Sequence, residues 1–203
     1  MIGPRGAAAL MIAGLAVGCA HPPGPVDLSG AWPAQPGGYA DANRAWTRHA
    51  TLSADFTLLL EVYATLRAPP WLAARAAHEA RQRGADAAPL VAAAQERADR
   101  EVEVVLAVTT HDRAENDLER GDRATWHLAL VDDAGTEIAP IAVERDRRPP
   151  AVVRAELPAF DDFAVAYRAR FPRTPALLGP GVRRVALRVW SSRGAVTLRW
   201  DAR

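Results

Sequence analysis

Short stretches in which apolar and polar residues alternate set the strongest limit on how this chain folds. From Asp55 to Leu66, the residues Phe56, Leu58, Leu60, Val62, Ala64 and Leu66 fall on one side, with Thr57, Glu61, Tyr63 and Thr65 among those on the other. Period two over that length marks a strand, because successive side chains point to opposite faces. The pattern returns at residues 101–110, where Val102, Val104, Leu106 and Val108 share a face. It recurs at 124–131, 137–144, 163–171, 182–190 and 195–201, with a shorter run at 152–157. Turn chemistry separates the last strands, as in Asp132-Asp133-Ala134-Gly135 and Ser191-Ser192-Arg193-Gly194.

One region breaks the alternation. Pro69-Pro70 ends the first strand, and Trp71 to Arg83 is rich in Ala and Arg, which reads as a helix with Pro in its first turn. Gly84 is a C-terminal stop, and Asp86 is an N-cap for a second helix running to Arg100. The fold class expected is therefore mainly β: an antiparallel β-sandwich of immunoglobulin-like architecture. It has seven or eight strands, with a helical hairpin at residues 69–100 inserted between the first two. The chain of 203 residues is long enough for one such domain, over residues 46–203. Residues 19–45 carry His21-Pro22-Pro23-Gly24-Pro25, Pro33, Pro36 and Gly37-Gly38, and read as a tether, with Trp32 or Tyr39 able to dock.

The start of the chain has a different grammar. Arg5 is its single charge, and Ala7 to Val17 is an uninterrupted apolar run. That run suits a signal peptide and falls well short of the ~20 residues a spanning helix needs. It ends in Leu15-Ala16-Val17-Gly18-Cys19, which resembles the lipobox of bacterial lipoproteins. The resemblance implies a signal peptide over residues 1–18, cleavage before Cys19, and acylation of Cys19, which is the chain's one cysteine. It implies a membrane partner through that lipid. Ala20, standing where an Asp would retain a Gram-negative lipoprotein at the inner membrane, implies the outer membrane. More than one acyl chain gives stable anchoring.

Several stretches of the body are similar to a group of uncharacterised predicted lipoproteins of myxobacteria and related Gram-negative bacteria. They are Thr110-His111-Asp112-Arg113 with Asn116-Asp117-Leu118, then Trp126 with Leu130, Asp132-Asp133-Ala134-Gly135 and Arg145-Asp146-Arg147-Arg148-Pro149. Phe171-Pro172-Arg173-Thr174 and Leu178-Gly179-Pro180-Gly181 continue the likeness. It implies an envelope location and a discrete domain, and brings no activity with it.

Basic residues number 25 and acidic residues 24, so the basic excess that nucleic-acid binding needs is missing. Every cation is Arg, which excludes Lys-dependent chemistry such as Schiff-base formation. There is no G-x-S-x-G, H-E-x-x-H or Walker A motif, and Ser29, Ser53, Ser191 and Ser192 are the four serines. No cofactor is implied.

Two regions hold the candidate site residues. The polar loop at 111–122 offers Asp112, Asn116, Asp117 and Asp122 as oxygen donors for a hard cation. That arrangement would make the chain a metal-dependent envelope hydrolase. In the competing reading, Asp112 and Asp117 cap turns and pair with Arg. The final hairpin, if Arg193-Gly194 form its loop, places Arg188 across from Arg199, with Arg184 and Trp190 on the same outward face. Guanidinium beside indole binds anions or glycans; alternatively these arginines pair with acids on the neighbouring strand. The function expected is a non-catalytic interaction or assembly domain in the envelope, with a protein or glycan partner.

Overall fold

The computed structural model describes residues 23–203. The lipobox and Cys19, with the cleavage and acylation expected there, lie outside the described residues. In chain order the elements are α1 (Tyr39–Trp46), β1 (Thr47–Ala54), β2 (Thr57–Leu66), α2 (Pro69–Arg83), α3 (Ala88–Ala98), β3 (Glu101–Thr110), β4 (His127–Val131), β5 (Glu137–Ile138), β6 (Ala142–Arg145), α4 (Pro150–Glu156), β7 (Val165–Pro172), β8 (Arg184–Ser191) and β9 (Gly194–Asp201). Two 3-10 turns, Arg113–Glu115 and Leu118–Arg123, lie between β3 and β4. The strands form two antiparallel sheets, ordered β1-β2-β3-β7-β6 and β5-β4-β8-β9.

The apolar faces of the two sheets share one core, which gives the molecule its sandwich-like character. Leu60, Val62 and Leu66 of β2 and Leu106 of β3 lie in the same buried cluster as Leu130 of β4, Leu187 of β8 and Trp200 of β9. The sheets meet at β1 and β9, where the Arg48 guanidinium donates to the Arg199 carbonyl at 2.6 Å. Trp71 of α2 is fully buried in the same cluster. Pro69-Pro70 supplies the first turn of α2, where a missing N–H costs nothing, and Gly84 ends the helix in a left-handed conformation at φ +60.

A second, smaller cluster lies on the outer face of the five-stranded sheet. Val153 and Leu157, one helical turn apart, cover Val105, Ala107 and Ala166. Strand β3 is therefore buried on both faces from Val104 to Val108, and its sequence there is apolar without a break.

The structure departs from the sequence expectation in four places. A strand, β1, precedes the one expected first, so nine strands are present among the described residues and the two hairpin helices lie between β2 and β3. The single strand expected at 137–144 is two: β5 pairs with β4 in one sheet and β6 with β7 in the other. Pro140 falls between them, and a residue with no N–H cannot continue a ladder. The short strand expected at 152–157 is α4, started by Pro149-Pro150. Part of the expected tether is docked: Val26 and Leu28 are buried, Val26 pairs in parallel with Ala202, and Tyr39 opens α1.

Candidate functional site

Three of the four oxygen donors offered by the loop are engaged with the protein itself. Asp112 Oδ1 accepts the Ala114 N–H at 2.8 Å and caps the first 3-10 turn. Asn116 is buried; its amide donates to the Val108 carbonyl at 2.7 Å, and the Tyr167 hydroxyl lies 2.8 Å from its backbone oxygen. Asp117 Oδ1 accepts the Thr125 N–H at 2.8 Å, and Arg120 stands 3.6 Å from the other oxygen. Asp122 is exposed. Among the described residues no group of three or more His, Cys, Asp or Glu side chains is placed to hold a metal ion.

The outward face of β8 and β9 does carry Arg184, Arg188, Trp190 and Arg199, in a different register from the one expected. Ser191 faces Gly194, so the loop residues are Ser192-Arg193; Arg188 is opposite Thr197 and Arg199 is opposite Ala186. The Arg188 guanidinium lies 5.2 Å from the Trp190 ring centroid and pairs with Glu137. Arg184 pairs with Asp201 at 2.7 Å. These pairs are about half exposed, where an ion pair contributes little.

A network of buried and half-buried charges lies elsewhere, between the helices and the outer face of the larger sheet. Arg67 leaves the end of β2 and is almost wholly buried. Its two terminal nitrogens donate to Glu103 of β3 at 2.8 Å and to Glu156 of α4 at 2.5 Å. Its guanidinium sits 4.8 Å from the Trp71 ring centroid, a cation–π distance. Glu156 also receives Arg148 through two hydrogen bonds, at 2.8 and 2.9 Å, and pairs with Arg75. Arg148 grips Asp146 from Nε and Nη2, and Arg168 Nε donates to Glu103 at 3.0 Å.

Burial alone would raise the Glu156 carboxyl above its ordinary range. The hydrogen bond from Arg148 and the charges of Arg67 and Arg75 outweigh that and hold it down at about 2. Burial pulls the Arg67 guanidinium below its usual range, against the attraction of Glu103 and Glu156. Over this network opens a pocket of about 310 Å³. Arg67, Arg75, Arg97, Arg148 and Arg168 line it together with Glu79, and Leu72 and Leu90 from α2 and α3 form an apolar wall.

A larger groove, of about 950 Å³, is walled by α1, the outer faces of β1 and β2, α2 and the residues after α4. Two stacked pairs of rings frame it. Tyr39 lies on His78 at 5.0 Å, and His49 lies on Tyr63, its direct cross-strand partner, at 4.1 Å. Ala155, Pro158 and Ala159 complete an apolar side. Helix α2 contributes to both, His78 to the groove and Arg75 to the pocket, while α4 lends Ala155 to the groove and Glu156 as the ion-pair partner of Arg75. Groove and pocket thus share α2, where Arg75 and His78 stand three residues apart.

Sequence reasoning missed this region. Outward-facing Glu103 and Arg168 on neighbouring strands were its visible signal, since they alternate with the buried valines and aromatics of β3 and β7. In the connection from β6 to α4, the Asp146 side chain is only 4% exposed. No family model matches this chain, and neither a curated protein nor a solved structure matches it.

Proposed function

We propose that this chain is a lipid-anchored envelope protein, held at the outer membrane through Cys19, whose β domain is a non-catalytic interaction module. In the same reading the two sheets make an immunoglobulin-like sandwich into which the helical hairpin of residues 69–100 is inserted. The observation that carries the interaction role is the groove of about 950 Å³ framed by the Tyr39–His78 and His49–Tyr63 stacks. Its size and its apolar lining with a few polar groups are those of a binding site. His49 is engaged with Glu61 at 2.9 Å, and no serine lines the groove, so the residues there favour binding over acyl transfer. The partner in this reading is a segment of another envelope protein, whose apolar or aromatic side chains would lie between the ring pairs.

The anchor is tested by growing cells with a palmitate analogue. Label on the wild-type protein, lost in Cys19→Ser together with release from the membrane fraction, is expected. A native protein that keeps residues 1–18 and stays soluble in the cytosol overturns the anchor. The docking face is tested with a photo-crosslinking residue at Ala159, in the groove, and at Thr197, on the far sheet. One discrete protein adduct from position 159 and none from 197 is expected; equal yields from both overturn the assignment.

A further inference from the structure

We infer that the pocket lined by Arg67, Arg75, Arg97, Arg148 and Arg168 is a binding site for a phosphate monoester. Charge accounting leads there first. Five arginines line one pocket. The carboxylates behind them are three: Glu103 serves Arg67 and Arg168, Glu156 serves Arg67, Arg75 and Arg148, and Asp146 serves Arg148. Glu79 also lines the pocket; it stands 3.9 Å from Arg75 and is held at 2.6 Å by Arg83, which is not part of the lining. Arg97 has no ion pair among the described residues. The terminal nitrogens of Arg168 donate no hydrogen bond there, since only its Nε is engaged. The pocket therefore keeps positive charge and unspent N–H donors in a partly desolvated place.

The shape of the donors and of the space narrows the ligand. Guanidinium forks match the paired oxygens of phosphate and carboxylate. A dianion offsets the shared excess of charge better than a monoanion, which favours a phosphate monoester near neutral pH. A volume of about 310 Å³ leaves room beyond the phosphate group, and Leu72, Leu90 and Ala94 offer an apolar surface for a small organic substituent. The carboxylates at the back do not exclude an anion, because each is already neutralised by two or three guanidiniums or, for Asp146, by a two-nitrogen grip from Arg148. Such a phosphate could belong to a soluble metabolite or to a lipid headgroup. This inference goes beyond the anchored-module reading and does not need it, since the pocket's chemistry is independent of Cys19.

The full chain, in non-ionic detergent, is titrated calorimetrically with glycerol phosphate, inorganic phosphate and acetate. Saturable binding of glycerol phosphate is expected, weakening as the pH falls below about 6, where the ester takes up its second proton. Arg97→Gln should weaken it about tenfold or more by removing a charge-assisted donor, with an unchanged melting temperature because Arg97 is exposed and unpaired. Arg199→Gln, on the far sheet, should bind as the wild type. Sedimentation of the Cys19→Ser chain, free of detergent, with phosphatidylcholine vesicles, with and without phosphatidic acid, separates the sources. Recruitment by phosphatidic acid that Arg97→Gln abolishes assigns the site to a headgroup; binding of the soluble ester without recruitment assigns it to a metabolite. No saturable binding of any phosphate, equal binding by Arg97→Gln, or acetate binding as tight as the ester overturns the proposal.

Discussion

Glu156 is the residue on which the charged side of this molecule turns. It is 6% exposed and takes Arg67, Arg75 and Arg148. Its carboxyl, held at about 2 against an ordinary 4.5, must bind a proton more tightly in the unfolded chain than in the folded one. Its contribution is therefore fully present above pH 4.5 and is lost as the pH falls from there through 2. The size is about 3 kcal/mol, by linkage between those two values. Urea unfolding followed from pH 6 down to 2 should show that loss in the wild type and a clearly shallower slope in Glu156→Gln. At pH 7 the variant should be destabilised by about 3 kcal/mol, because three buried or half-buried guanidiniums lose their common acceptor. An unchanged midpoint at pH 7 would mean that the network relaxes onto Glu103 and Asp146. The part played by Glu156 was not legible in the sequence. Arg67 and Glu156 are far apart in the chain, and nothing about a Glu at the end of an Ala-Val-Val-Arg-Ala run marks it as buried. Arg48 shows the same limit: it is a buried cation held by the carbonyls of Gly24, Ala45, Thr47 and Arg199, and no acidic partner in the sequence could have announced it.

At the level of the element, legibility followed how strongly one face was buried. Strands β2, β3, β7, β8 and β9 each bury an alternating apolar set and were readable within a residue or two. Strand β1 was not, because it is an edge strand whose sequence, Thr47 to Ala54, offers Ala50 and Leu52 as half-buried contacts and little else. Its turn was hidden too. Asp55 and Phe56 both take positive φ, at 48 and 63, as a two-residue hairpin of this hand requires, yet neither is Gly or Asn. Phe56 is fully exposed at the tip and has no packing to offset that conformation. Replacing Phe56 with Gly should therefore stabilise the protein by about 1 kcal/mol, the left-handed penalty of an ordinary residue. For a chain of this size that is a rise in melting temperature of about 2–4 °C, read by thermal unfolding. A fall instead would show that the Phe56 ring stabilises the folded hairpin despite its exposure. Helix α4 was misread for a different reason: Val152-Val153 favours strand by propensity, but burial of Val153 with Leu157 one turn later outweighs a preference of a few tenths of a kcal/mol.

For the molecule as a whole, closure depends on chain that composition assigned to a tether. Proline and glycine dominate residues 22–38, and that bias hid Val26 and Leu28, two isolated apolar residues without a period. Both enter the main core, at 2% and 1% exposure. Val26 exchanges backbone hydrogen bonds with the end of β9, donating to the Asp201 carbonyl at 2.9 Å and accepting from Arg203 at 3.1 Å. The Leu28 carbonyl accepts the Gly179 N–H at 2.9 Å, and Gly30, at φ +76, lets the backbone pass close to Leu178. These residues join β9 to the loop before β8 at the end of the sandwich where the chain enters. Burying the two side chains contributes about 4 kcal/mol together, at the usual value for a Val and a Leu. Deleting residues 23–30 while keeping residues 19–22 should thus lower unfolding stability by about that amount or more, and Leu28→Ala alone by about 3 kcal/mol. Both are measurable in guanidinium at pH 7. The deletion leaves Cys19 in place, so fractionation of the same variant reports on anchoring independently of folding. If the segment were only a spacer, the midpoint of unfolding would not move. If it is the last stave of the sandwich, the loss should appear as a shift of one cooperative transition, because its contacts reach both the core cluster and β9 and nothing in the domain can open there alone.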